Sequence, residues 1–466
     1  MQESIAQNEP ENGTVKSRRK VWIAVLLSAA VIVLVVAVLE AAGVTSMLNR
    51  LTGSVTALFK DEDDSLTIVA VYSEDGQQSN FLRGAEMAVS RVNENDQGVL
   101  GRKLNLKTIS EPVYLEDRGL ETAVEDTLKL SGRIAKTKNL LAVVGHEWSD
   151  TAVTASSIYN LNDVLYFATH ATADSLTNHS FDTVFALQPD NSTNSGVVAT
   201  YALKSGLRRF IVLSDKTDYG MESANFFMAS TTTAGADIVY RGYLSSNRQS
   251  TEQLLMFILD NQLFKRTDFD ALFIVSSSLD ATGDFIKSAR ELGLDVPILG
   301  MEYMFSSTLE RLAGKKNMKN VAGVSLFDRD DISKDAQAFV SDFSGLYGQM
   351  PDLDAALGYD AIMLVRDVAN KAGTTEPDKV ADTLKIARYK TPFKGVTGPL
   401  IFDRNGLITD TEVFIVQHDG KEFHTVETYQ IPTDWAKVSQ NKLEDEGTLD
   451  TLPTGVTAPA EEQADQ

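Results

Sequence analysis

Leu-Leu-Ala-Val-Val-Gly-His-Glu-Trp-Ser, residues 140–149, is the stretch on which the fold turns. Five apolar residues break at Gly145 into a polar turn, and Thr151 to Leu161 then reads as a helix. The pattern returns downstream. Leu165 to Ala168 is apolar and breaks at Thr169-His170-Ala171-Thr172, and Phe210 to Leu213 runs into Ser214-Asp215-Lys216-Thr217-Asp218-Tyr219-Gly220. Strand, polar loop and helix in succession build a parallel sheet, in which strand carboxyl ends and helix amino ends face one crevice. Free N–H groups and helix dipoles there suit an anionic group. Ser149 and Thr172 add hydroxyl donors at that rim, so the crevice can hold a small carboxylate.

The alternation extends in both directions. Thr67 to Val71 is strand-like, and Phe81, Ala85, Ala88, Val89 and Val92 follow at helical spacing. Leu104 and Leu106 alternate as a strand does, while Leu120, Ala123, Val124, Thr127 and Leu128 return to the helical period. Strands are expected near 238–244, 270–275 and 296–299, and helices near 220–234, 251–264, 281–292, 335–347 and 353–372. Gly398 to Phe402 reads as a strand leading to an Asn405-Gly406 turn, with Thr411 to Gln417 as the returning strand of a hairpin. The fold class is α/β, mostly parallel sheet with helices on both faces. A loose likeness between the two halves suggests two like-folded lobes.

Composition sets further bounds. A chain of 466 residues exceeds one core, and 43 % hydrophobic content is that of a folded protein. A net charge of −22 argues against nucleic acid as a partner, because phosphate contact needs a basic face. The absence of cysteine excludes disulfides, thiolate metal sites, a Cys nucleophile and a lipidated cysteine. Val21 to Leu39 runs 19 residues without a charge, close to the ~20 that cross a bilayer core. Lys16-Ser17-Arg18-Arg19-Lys20 stands before it and favours the cytoplasmic side. Residues 1–20 thus read as a cytoplasmic tail, 21–43 as a transmembrane anchor and 44–65 as a linker carrying Asp61-Glu62-Asp63-Asp64. The alternative is a cleavable signal peptide, for which Ala41-Ala42-Gly43 supplies small residues. Under the anchor reading the large domain is periplasmic or extracellular. Residues 433–466 have the composition of a disordered acidic tail.

Signals of catalysis are missing from the sequence. It holds no Gly-x-Ser-x-Gly elbow, no His-Glu-x-x-His and no phosphate-binding loop, so an enzyme is not expected. His146 and His170 lack the partner spacing of a metal site, and neither metal nor cofactor is expected.

Several short marks share an order and spacing: Phe81-Leu82-Arg83-Gly84-Ala85-Glu86, Gly145-His146-x-x-Ser149, Ala155-Ser156-x-Ile158-Tyr159, Ala171-Thr172 and Asp215 to Gly220. Gly358-Tyr359-Asp360-Ala361 and Thr397-Gly398-Pro399-Leu400-x-Phe402-Asp403 continue the series. Together, over about residues 66–430, they resemble the bacterial amino-acid and amide binding proteins of the branched-chain amino-acid type, the solute receptors of ABC importers. The resemblance implies a type 1 periplasmic-binding fold, two doubly wound Rossmann-like lobes joined by a three-segment hinge and closing on ligand like a clamp. Residues 66–189 with 325–394 would form one lobe and 190–324 with 395–432 the other. The crossings would fall near Gln188-Pro189-Asp190, Val321 to Phe327 and Phe393 to Thr397.

The same resemblance assigns roles. Ser149 and Thr172 would bind a ligand carboxylate, with the backbone at His170 adding a polar contact. Tyr219 would cover the ligand from the second lobe, and Glu302 would pair with its ammonium. Trp148 stands where a smaller residue is common, as pocket wall or as lobe packing. The loop Tyr72 to Gln77 is shorter than the family's and carries two acids. Read without the family, Ser149 and Thr172 serve equally as helix caps, Tyr219 as a packed loop aromatic and Glu302 as a solvated acid. The implied function is capture of an amino acid or similar small polar acid between the lobes, for an ABC permease, by a protein anchored through its own N-terminal helix. A ligand sensor for a separate signalling protein and a ligandless envelope adaptor are the alternatives.

Overall fold

A computed structural model describes residues 64–73, 80–111, 120–245, 247–330 and 333–431. The α/β body begins at Ser65. The expected cytoplasmic tail, anchor and acidic C-terminal tail lie outside the described residues, as does all but the end of the linker. No described helix is long and apolar enough to cross a membrane.

Five strands, β1 (Leu66–Ser73), β2 (Leu104–Glu111), β3 (Leu140–Gly145), β4 (Tyr166–Ala168) and β5 (Val184–Ala186), form a parallel sheet in the order β2-β1-β3-β4-β5. β1 and β3 are buried almost throughout, as parallel strands covered on both faces must be. Their connections are α1 (Asn80–Asn95), α2 (Leu120–Ile134), α3 (Ser149–Leu161) and α4 (Ser175–Asn178). β6 (Arg209–Ser214), β7 (Asp237–Tyr243), β8 (Ala271–Val275), β9 (Ile298–Gly300) and β10 (Val321–Ser325) repeat the same parallel order as β7-β6-β8-β9-β10. With them go α5 (Asn191–Lys204), α6 (Asp218–Thr233), α7 (Arg248–Leu259), α8 (Leu279–Glu291) and α9 (Ser307–Ala313). In both sheets the order reverses beside the first strand, at β1/β3 and β6/β8. Ligand crevices of doubly wound sheets open outside the carboxyl ends of the strands at such reversals.

Three more helices, α10 (Lys334–Tyr347), α11 (Leu353–Ala372) and α12 (Pro377–Ala387), follow β10, and α11 returns to pack on α1. Two glycines let these backbones meet. A Cβ on Gly84 would lie 2.0 Å from the Ala355 carbonyl oxygen, and one on Gly358 would lie 2.1 Å from that of Phe81. Those two sequence marks are one helix contact. Asp360, buried on α11, accepts the N–H groups of Val396 and Thr397 at 2.8 and 2.9 Å and the Thr397 hydroxyl at 2.6 Å. Burial still lifts its carboxyl to about 6 against those bonds.

The expected hairpin does not form. β12 (Gly398–Phe402) pairs with β11 (Phe393–Gly395) and β13 (Ile408–Thr409), and the strand β14 (Thr411–His418) pairs instead with β10 and β15 (Phe423–Ile431). The reason is local. Asp403 accepts the N–H groups of Asn405 and Leu407 to close the turn, and Asp410 then takes a positive φ of 52° that ends β13 and redirects the chain. Leu407 also bridges Ala186, so this small sheet touches the edge of the first large one. Helix α5 carried no readable period, because its buried face includes Asn191, Asn194, Ser195 and Thr200 among its apolar residues.

Candidate functional site

The loop after β3 is held by the protein's own groups. Gly145 has φ 109°, and a Cβ there would lie 2.0 Å from the Val71 carbonyl oxygen of β1. His146, also at positive φ, is fully buried between Glu111 Oε2 at 2.8 Å and the Tyr159 hydroxyl at 2.9 Å. The other Glu111 oxygen accepts the Glu147 N–H at 2.7 Å. Glu111 and His146 are therefore scaffold, and they aim Trp148 and Ser149 along the start of α3. Ser149 is buried in the first turn of α3, and Trp148 precedes it as the N-cap residue, its indole N–H buried without a hydrogen-bond partner.

His170 and Thr172 lie, both buried, in the loop after β4. The His170 ring meets the Thr169 hydroxyl at 2.8 Å through Nδ1, approaches Asp354 Oδ1 at 3.5 Å through Nε2, and takes the Phe81 ring edge-on at 5.1 Å. Burial works against its positive charge, but Asp354, Glu147 and Glu302 outweigh that and hold the imidazole above its ordinary pKa. Thr172 turns elsewhere. Its hydroxyl donates to Asn191 Oδ1 at 2.7 Å, and the Asn191 amide donates to Glu222 of α6 at 2.6 Å. This chain links the β4 loop to the helix after β6, and the Thr172 oxygen keeps only acceptor capacity.

Tyr219 is the second residue of α6 and is buried with its ring 5.7 Å from that of Tyr303. Glu302 opens the 3₁₀ turn Glu302–Phe305 after β9 and is 5 % exposed. Neither of its carboxylate oxygens has a hydrogen-bond partner. Burial lifts this carboxyl to about 7, against the pull of its own backbone amide, the nearby Tyr219 hydroxyl and His170. The Tyr303 hydroxyl donates to the Glu147 carbonyl at 3.3 Å, which ties the turn to the loop before α3. A buried carboxyl left without partners is costly, and in a native protein it calls for a reason.

The structure thus brings Tyr219, Glu302 and His170 into one electrostatic cluster, with Trp148 and Ser149 joined to it through Glu147 and Tyr303. Thr172 is engaged by Asn191. Glu147, Tyr303 and Asp354 were missed by sequence reasoning, although Glu147 and Tyr303 adjoin named residues. Also missed was Asp352, the buried N-cap of α11, which accepts Asn80 Nδ2 at 2.8 Å and the Ser307 hydroxyl at 2.7 Å besides capping Ala355. Asp150 of α3 neighbours Asp218 of α6, and burial and Asp218 lift Asp150 to about 7. Among the described residues no group of three His, Asp or Glu side chains is placed to hold a metal ion.

Residues 67–422 match the periplasmic binding protein family, and the chain belongs to it. This is a substrate-binding class and not an enzymatic one. The chain is 24 % identical over 325 residues to the leucine-, isoleucine-, valine-, threonine- and alanine-binding protein of Pseudomonas aeruginosa, covering 69 % of this chain and 80 % of that one. Its fold is similar to that of LivJ, the branched-chain amino acid transporter substrate binding protein of Streptococcus pneumoniae in complex with isoleucine. The TM-score is 0.67 at 21 % identity, covering 78 % of this chain and 99 % of that one. An ABC transporter substrate-binding protein of Desulfitobacterium hafniense in complex with Leu gives a TM-score of 0.63 at 25 % identity, covering 78 % and 100 %.

Proposed function

We propose that this protein is a membrane-anchored, extracytoplasmic solute-binding protein that closes on an α-amino acid and presents it to an ABC permease. The observation that carries the reading is Glu302, a fully enclosed carboxyl with no partner of its own. A ligand ammonium supplies the missing counter-charge, and charge-assisted bonds in an enclosed site are the strong ones. The ligand carboxylate then belongs at the amino end of α3, where Ser149 adds a hydroxyl to the free N–H groups. Thr172 contributes through its backbone and through its hold on Asn191 rather than as a hydroxyl donor. Tyr219 covers the ligand, and Trp148 narrows the pocket beside Ser149.

Support also comes from relatives whose names state amino-acid binding and from the basic run and uncharged segment at residues 16–39. In this reading the two sheets belong to two lobes that open without ligand and close with it, a shift limited by the ligand's preference for the closed form. An unpartnered buried acid has no use in a ligandless adaptor. A thermal-shift screen of amino acids, amides and organic acids on the full-length protein tests the reading. Stabilisation confined to compounds with an α-ammonium and an α-carboxylate supports it, and stabilisation by plain organic acids alone overturns it.

A further inference from the structure

Glu147, Glu302 and Asp354 come from three separate stretches, the loop after β3, the turn after β9 and the first turn of α11. Asp354 touches one imidazole, that of His170, and Glu147 and Glu302 lie within electrostatic range of it. His170 Nε2 lies 3.5 Å from Asp354 Oδ1, and the His170 charge is felt at both Glu147 and Glu302. Glu147 accepts the Ser73 N–H at 3.2 Å. Glu302, 5 % exposed, closes no well-formed hydrogen bond on either oxygen and has its own backbone amide, the nearby Tyr219 hydroxyl and His170 to favour its charge. Once a bound cation has ionised Glu302, three carboxylates face one imidazolium, and two negative charges remain for the ligand to answer. An α-ammonium on Glu302 removes one of them. The zwitterion's own carboxylate cannot remove the other, since it carries the same sign and is held at α3.

An enclosed site does not leave a carboxylate unpaired at low cost. An aliphatic side chain would bring nothing to answer the remaining charge. We propose that the ligand is a basic amino acid, with Glu302 on the α-ammonium and Glu147 and Asp354 receiving the cationic end of the side chain. This rests on the α-amino-acid reading above and narrows it. Glu147 and Asp354 become specificity-determining residues, and the 3.5 Å contact with His170 Nε2 positions the Asp354 carboxylate.

The test is calorimetry of the full-length protein with leucine, lysine, arginine and cadaverine, on the wild type, on Glu147→Gln and on Asp354→Asn. Lysine or arginine should bind at least ~10-fold more tightly than leucine, the worth of about one charge-assisted bond. Each variant should lower the ratio of lysine to leucine affinity about tenfold, whereas a merely structural role would weaken both ligands alike and leave the ratio unchanged. Leucine binding as tightly as lysine and arginine would overturn the proposal and leave the amino-acid reading standing. Cadaverine binding more tightly than lysine would support the second cation and overturn the α-carboxylate reading. Failure of lysine and arginine to bind would overturn the proposal, while the thermal-shift ligand screen decides the amino-acid reading.

Discussion

Glu302→Gln is the substitution with the largest calculable effect. The wild-type carboxyl is enclosed, unpartnered and raised by burial to about 7. When an ammonium arrives, the carboxyl must be ionised to pair with it, so binding expels whatever proton it carried. For the enclosed arrangement that is about half a proton at pH 7, about 0.9 at pH 6 and about 0.1 at pH 8 by single-site titration, an upper bound because lobe opening returns the carboxyl to water. Affinity for an amino acid should therefore climb as pH rises toward 7 and level off above it. The sign follows from the proton being held by the ligand-free form. Replacing the acid with an amide leaves a buried ammonium without its counter-charge. That costs about 3–5 kcal/mol, or roughly 150- to 4,000-fold in affinity. Calorimetry in two buffers of different ionisation enthalpy reads both quantities. Unchanged affinity in the variant together with no proton release in the wild type would refute the pairing.

Three further outcomes follow from the geometry. Ser149→Ala should weaken amino-acid binding by at least roughly tenfold, since a hydrogen bond to a charged group is worth about 1.5–3 kcal/mol, and a titration of the variant measures it. Asp352→Ala removes a helix cap and the bonds from Asn80 and Ser307, so urea unfolding should register a loss of about 2–4 kcal/mol; an unchanged midpoint would mean these bonds carry nothing. Asp150, lifted to about 7, favours the folded form below its ordinary pKa, and that contribution fades as pH rises through about 7. Melting curves between pH 5 and 8 should accordingly decline less for Asp150→Asn than for the wild type.

What could be read in advance follows from how each feature is encoded. Continuous apolar runs such as Leu140 to Val144 and Phe210 to Leu213 announce buried parallel strands, and Leu353 to Ala372 matches α11 residue for residue. Gly84, Gly358 and Asp360 were legible as marks, but their cause, one helix contact and one pinned segment, exists only in three dimensions. The hairpin expectation failed because Asp410 redirects the chain after β13, and no hydrophobic period encodes that. In the proposed site, Glu302, Tyr219 and His170 stand at motif positions. Glu147 and Asp354 do not, and an acid beside a tryptophan or in a helix's first turn reads as solvated.

The central claim is that both charges of an α-amino acid are gripped at once. Calorimetry of the full-length protein with leucine and lysine beside their truncated analogues tests it most directly. 4-Methylpentanoate and 6-aminohexanoate lack the α-ammonium, while isopentylamine and cadaverine lack the carboxylate. Each analogue should bind at least roughly 100-fold more weakly than its better-bound parent amino acid, the cost of leaving a buried charge unpaired. An analogue without the α-ammonium that binds as tightly as its parent would contradict the account.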